Sequence, residues 1–190
     1  IFVLGEKIKN FTVETMLGRG IVLVPEARRS KGLILNMSLK ENISLSNLSD
    51  LQRPWSMGSI NRRSEKEIVS NLVNKLDIKA ASIDQTIKYL SGGNQQKALI
   101  GKWLTRDAEI YIFDDPTVGI DVQTRREIYR LIDKLSEDAG IIIVSSDLKE
   151  IINISNRIMV FHKGKVKGKL SGETIEKERI IELSYDQDAN

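Results

Sequence analysis

The sequence contains no cysteine, which excludes disulfides and any cysteine-ligated metal site. Histidine occurs once, as His162, in Phe161-His162-Lys163-Gly164, where it reads as an exposed turn residue rather than a ligand. No apolar run approaches the roughly 20 residues of a membrane-spanning helix. There is no internal repeat and no low-complexity tract. Neither sign of charge dominates: the formal net charge is +3, which allows an anionic partner only weakly and reads better as a solvated basic surface. What is present is an ordinary globular balance, 41% hydrophobic and 29% charged in 190 residues, enough for one domain with a real core.

The chain is organised around Leu90-Ser91-Gly92-Gly93-Asn94-Gln95-Gln96-Lys97. Two glycines stand at the mouth of a helix expected over Asn94–Arg106. A helix start carries unpaired backbone N–H groups and a partial positive charge. Glycines let an anion approach that backbone, so the geometry suits phosphate. A bare Ser-Gly-Gly would be read as an ordinary serine-capped helix. The full octamer weighs differently, because Ile110-Tyr111-Ile112-Phe113-Asp114-Asp115-Pro116 follows it, a buried-strand pattern ending in two carboxylates.

Taken in order, Ile1–Leu4 and Glu6–Ile8 read as two short strands around Gly5. Thr12–Leu17 is a short helix and Ile21–Val24 a buried strand closed by Pro25. Pro25–Gly32 is a charged loop, Ser38–Leu45 a short helix, and Leu48–Asn61, with Trp55, a loop. Ser64–Leu76 is a helix with a capping box at Ser64 and Glu67 and an apolar face of Ile68, Leu72, Val73 and Leu76. No strand is needed between Gly32 and Leu90, which marks a helical subdomain inserted into an α/β core. Pro116–Asp121 is a tight turn. Gln123–Leu135 is an amphipathic helix with Ile128, Leu131, Ile132 and Leu135 on one face, and Ile141–Val144 is an apolar strand. Strand, helix and strand with short connections imply a parallel sheet. A short helix over Asp147–Ile154, a hairpin of Arg157–Phe161 with Val166–Leu170, and a helix over Glu173–Leu183 complete the chain. Tyr185–Asn190 frays.

The octamer and the Ile110–Asp115 strand together resemble the signature motif and Walker B strand of ATP-binding cassette (ABC) ATPases. The variant with Asn94 resembles the ATPase subunits of bacterial monosaccharide importers of the ribose, galactose and xylose type, from about Ile21 to Leu183. The resemblance implies an α/β fold of the P-loop NTPase kind, with a mainly parallel sheet. The helical subdomain then spans about 33–90, and 1–32 with 91–185 form the core. It implies ATP and Mg²⁺ as ligands. Partners would be a second ATPase domain of the same chain or dimer, membrane permease subunits and, indirectly, a sugar-binding protein; nucleic acid is not among them. The implied location is peripheral, on the cytoplasmic face of the cell membrane.

Residue by residue, Asp114 matches the carboxylate that suits Mg²⁺ at a strand's carboxyl end. Asp115 stands where active family members place a catalytic glutamate, one methylene longer; a general base must lie within about 3 Å of its proton. Ser146 stands at the switch-histidine position and cannot carry its positive charge. Glu26 stands where many members have the glutamine of the Q-loop; that resemblance puts Arg28 and Arg29 near a membrane subunit. Ser91, Gly92, Gly93 and Gln95 match nucleotide contacts made in trans, and Asp121 the D-loop aspartate. Asp121 read alone is equally a turn residue preceding a helix.

One departure is larger. No G-x-x-x-x-G-K-[ST] string occurs; Gly164–Leu170 has the wrong spacing and lacks the Ser or Thr. The chain therefore reads as an N-terminally truncated nucleotide-binding domain, the second of its subunit and by itself inactive. Its expected function is to couple ATP binding and hydrolysis to monosaccharide import. The alternatives are a non-catalytic regulatory or scaffold module of the same fold and a soluble ABC ATPase.

Overall fold

Three apolar runs rich in β-branched residues build the central sheet. The computed structural model describes residues 2–3, 5–52 and 59–185; the loop expected at Trp55 and the frayed end beyond Tyr185 lie outside them. Contacts divide the chain into two compact units, Ile1–Val144 and Ser145–Asn190.

In the first unit, β1 (Phe2–Val3) and β2 (Glu6–Lys7) pair antiparallel. Helix α1 (Val13–Gly18) follows, its Thr12 cap accepting from the Thr15 amide. Strand β3 (Ile21–Val24) leads into a π-helical turn at Arg28–Gly32, where a plain charged loop was expected. The Leu33 amide closes that turn on the Arg28 carbonyl at 2.8 Å. Helix α2 (Leu39–Ser44) opens with the capping box of Ser38 and Glu41. Helix α3 (Leu48–Leu51) occupies the start of the segment expected to be loop.

Helix α4 (Arg62–Lys75) corrects a second expectation. Its cap is Asn61, whose Oδ1 accepts from the Ser64 amide at 3.3 Å. Ser64 is thus already inside the first turn and builds no capping box with Glu67. The buried face runs through Glu65, Val69, Leu72 and Leu76; of the expected face, Leu72 and Leu76 are buried, while Ile68 and Val73 are only partly buried. Helix α5 (Gly92–Leu104), β4 (Ile110–Asp114), α6 (Val122–Leu135) and β5 (Gly140–Val144) complete the unit.

The sheet order is β3-β4-β5, all parallel, and β4–α6–β5 is a crossover unit of the kind parallel pairing requires. Alternation along the strands sets the two faces. Val22, Val24, Tyr111 and Phe113 point into a cluster shared with Leu99 and Ile100 of α5, Ile128 and Ile132 of α6, and Leu39, Ile43, Val69 and Leu72 of α2 and α4. The helical segment and the sheet thus share one core. A fully buried Phe113 contributes about 3 kcal/mol by transfer alone. The opposite sheet face is also apolar, but Leu23, Ile142 and Val144 are half-exposed on it.

The second unit contains α7 (Leu148–Ile154), capped by Asp147, β6 (Arg157–His162), β7 (Lys165–Ser171) and α8 (Lys177–Ser184). The two strands form an antiparallel hairpin. Lys163 and Gly164 have φ of 46° and 76°, as a two-residue primed turn requires. His162 closes β6 and is partly buried, less exposed than expected. Ile158, Val160, Leu170 and Ile180 form this unit's core.

Glu65 is the most deeply buried acidic side chain among the described residues, 1% exposed. Its Oε1 accepts from Ser44 Oγ at 2.8 Å, and Arg62 pairs with Oε2 at 3.1 Å. Replacing Glu65 with Ala leaves the Ser44 hydroxyl only its long contact to the Glu41 carbonyl at 3.4 Å and opens a void between α2 and α4. We expect a loss of about 2 kcal/mol in urea denaturation. Ser44→Ala should cost less, because Arg62 still satisfies the carboxyl group.

Candidate functional site

The site begins with a serine cap. Ser91 Oγ accepts from the Asn94 amide at 3.3 Å and from Asn94 Nδ2 at 2.9 Å. Capping here starts α5 at Gly92, two residues before the expected start, so both glycines lie in the first helical turn. The amides of Gly92 and Gly93 have no acceptor within the helix. Ser91 is exposed and Gly92 partly so, which leaves a positive helix end open to a ligand.

Gly93 lies at a close approach between α5 and α6. A Cβ there would lie 2.7 Å from Thr124 Cγ2 and Oγ1 and 3.1 Å from Thr124 Cβ. Only glycine fits without displacing the Thr124 side chain. Thr124 in turn donates its amide to Asp121 Oδ1 at 2.9 Å and its hydroxyl to Oδ2 at 2.7 Å. Asp121 is therefore the N-cap of α6. These bonds from Thr124 hold its carboxyl below the usual carboxylate range. A depressed pKa means the cap is complete at neutral pH and is lost as pH falls through that lowered value.

The turn between β4 and α6 lies against the same helix mouth. Arg28 Nη1 donates to the Val118 carbonyl at 2.9 Å, and Nη2 lies 3.4 Å from that of Gly119. Burial, and secondarily the charge of Arg29, lowers the pKa of Arg28 from the ordinary arginine value. Arg29 Nε donates to Gln95 Oε1 at 3.2 Å. Both guanidiniums, expected near a membrane subunit, are bonded within their own unit. A turn further along, Lys97 Nζ pairs with Glu127 Oε2 at 2.6 Å and donates to the Asp77 carbonyl at 3.0 Å. An open depression of about 640 Å³ adjoins Ser91, bordered by Tyr89, Leu90, Lys79 and Asn74.

Gln95 does not belong on the surface. It is 0% exposed, its Nε2 donates to the carbonyls of Ile87 and Leu90, and its Oε1 is taken by Arg29. It fixes the approach to α5 from inside and offers no atom to a nucleotide. Asp114 ends β4 on the sheet face turned away from the core, in register with Val144. Asp115 follows with φ 42°, a left-handed conformation that aspartate tolerates better than most residues; its amide donates to the Val144 carbonyl at 2.8 Å. Glu26 is exposed just after β3. Ser146 is exposed ahead of α7, in the second unit. The structure thus brings together Ser91, Gly92, Gly93 and Asp121, with Arg28, Lys97 and Thr124 as residues that sequence reading did not assign to the site.

Comparison with known proteins gives a consistent result. The ABC transporter family profile matches residues 1–118. The chain is 42% identical over 182 residues to the ribose import ATP-binding protein RbsA of Caldanaerobacter subterraneus subsp. tengcongensis, covering 95% of this chain and 36% of that protein. It is 40% identical over 182 residues to RbsA of Geobacillus kaustophilus, with 95% and 36% covered. The chain thus spans about a third of the length of these relatives. A nucleotide-free ATP-binding cassette from an ABC transporter superposes with a TM-score of 0.76 at 18% identity, over 94% of this chain and 74% of that one. A dimeric post-hydrolysis cassette bound to ADP and Pi gives 0.72 at 20% identity, over 90% and 72%. These likenesses establish the fold.

The Lys97–Glu127 pair offers a test of how the two helices are held. Lys97 is 8% and Glu127 31% exposed. Replacing Lys97 with Met should cost about 2 kcal/mol in urea denaturation, less than a fully buried pair because Glu127 keeps solvent contact. A loss below about 0.5 kcal/mol would place the pair among surface ion pairs of little consequence.

Proposed function

The chain belongs to the ABC transporter family, and from that premise we propose that it forms part of an ATP-binding subunit coupling ATP binding and hydrolysis to monosaccharide uptake. The observation that carries this reading is the mouth of α5, open at Ser91 and Gly92 with Gly93 buried behind them, and the 116–121 turn held against it. Unpaired amides and a serine hydroxyl at a helix start are donors suited to a terminal phosphate. The names of the RbsA relatives support the importer assignment and ribose-type cargo.

Ser91, Gly92 and Gly93 would act in trans, on nucleotide held by a second ATPase domain. Val118 and Val122, 48% and 65% exposed around the same turn, suit a surface covered by such a partner, and the related cassette bound to ADP and Pi is dimeric. Asp114 would hold Mg²⁺, for which one carboxylate beside the phosphates is a common protein share; among the described residues no cluster of three metal-ligating side chains exists. When bound, the ion neutralises charge on the phosphates. Asp115, as the base, and Glu26, sensing the phosphate, would serve nucleotide on this chain's own side; Ser146, at the switch position, would be the second unit's phosphate sensor. No described helix is long and apolar enough to cross a membrane. By analogy with the import proteins it resembles, attachment would run through permease subunits at the cytoplasmic face, with a sugar-binding protein acting on them in turn.

The second reading, a non-catalytic module of the same fold, draws on Asp115 and Ser146, which depart from the fully active pattern. Phosphate release by the full-length gene product with its permease separates the two. Ser91→Arg should lower turnover by about 10²-fold or more, since loss of one such donor alone costs about 10²–10³. Asp115→Asn should matter far less, because that side already lacks a full-length base. Equal losses would show Asp115 to be a working base. No turnover by the unmodified protein would favour the non-catalytic reading.

A further inference from the structure

We infer that Arg28 is a positioning residue that holds the 116–121 turn against the mouth of α5, and so sets the spacing between the two elements that meet the nucleotide. This rests on the nucleotide reading above. The guanidinium reaches across from the end of β3. It donates to the Val118 carbonyl at 2.9 Å, with the Gly119 carbonyl 3.4 Å from its other terminal nitrogen. A Cβ at Gly92 would lie 2.9 Å from Nη2, so the same planar group occupies the space beside the helix's first residue. One side chain therefore bonds the turn and borders the start of the helix.

The base of that side chain is itself fixed. Arg28 opens the π-helical turn, and its own carbonyl accepts the Leu33 amide that closes it. Three contacts fasten the turn to α5. Arg29 bonds Gln95, and Lys102 Nζ donates to the Gly32 carbonyl at 3.1 Å. A Cβ at Gly32 would also meet both Leu99 methyls at 2.8 Å. The segment after β3 and α5 are thus one body, and Arg28 is the arm that extends it to the turn. Lysine cannot reproduce the contact. Its single ammonium lacks the planar fork that spans two acceptors and lies flat on a backbone.

Two readouts on Arg28→Lys and Arg28→Gln in the full-length gene product test this. Hydrogen exchange of the 117–120 amides should accelerate by about 10-fold in both variants, as loss of charge-assisted bonds predicts, while amides within α6 exchange as in the unmodified protein. In ATP hydrolysis, kcat should fall by between about 10- and 100-fold, the range expected when a site is misplaced by an ångström, with KM changed by less than about 3-fold. Lysine should restore only part of the loss. A purely electrostatic role would instead leave Arg28→Lys near wild type and raise KM in Arg28→Gln, and would overturn the inference. So would unchanged exchange at 117–120, or exchange that rises uniformly through the unit. If the unmodified protein hydrolyses no ATP, the functional reading fails, and the exchange measurement alone decides the role of Arg28.

Discussion

Where α5 crosses α6, Gly93 lies so close to Thr124 that a single added carbon would collide with it at 2.7 Å. Close packing transmits such a collision to its neighbours, because a protein interior has little free volume to absorb it. The same threonine satisfies both oxygens of Asp121, so the helix contact also sets the start of α6 and the turn before it. One turn further along both helices, Lys97 and Glu127 repeat the connection as an ion pair. The exposed Ser91 and the partly exposed Gly92 thus sit at a helix mouth, with Gly93 buried beneath them, whose position is fixed by two contacts in succession.

Beside the apolar core that α5 and α6 share, the chain also buries polar groups here. Gln95 spends its whole amide on Arg29 and on two backbone carbonyls. Lys102 is held below the ordinary lysine range by burial, and its ammonium donates to the Gly32 carbonyl. A buried polar group left unsatisfied costs far more than a satisfied one gains. Each of these bonds therefore specifies one geometry more than it adds stability. This is the requirement of a site made of backbone donors, which have no side-chain rotamers with which to adjust to a ligand.

Much of this was legible in the sequence, and the parts that were not share a cause. Continuous apolar runs gave β3, β4 and β5 within a residue of their ends, and Ser-Gly-Gly marked the helix mouth, because both signals are local. The cap of α4 was misread because Ser64 and Glu67 have capping-box spacing, yet Asn61 upstream captures the Ser64 amide first. Gln95 was read as a nucleotide contact from its neighbours in the motif, but helical phase turns it inward, where carbonyls from the preceding segment await it. Arg28 and Lys97 bond residues far apart in the chain, and Thr124, though bonded locally to Asp121, meets Gly93 from a distant segment; nothing in their own neighbourhoods announces those partners. The left-handed backbone of Asp115 is likewise set by the strand end and turn, not by the residue.

The central claim is that Gly93 is required because of Thr124, and a double-mutant cycle measures that dependence directly. Gly93→Ala, Thr124→Gly and the double variant are compared by urea denaturation. The contact predicts a coupling of at least about 1 kcal/mol, with Gly93→Ala costly beside threonine and tolerated beside glycine. Additivity within about 0.5 kcal/mol would contradict it, and would mean that the glycine serves the helix mouth without fixing the spacing of α5 and α6.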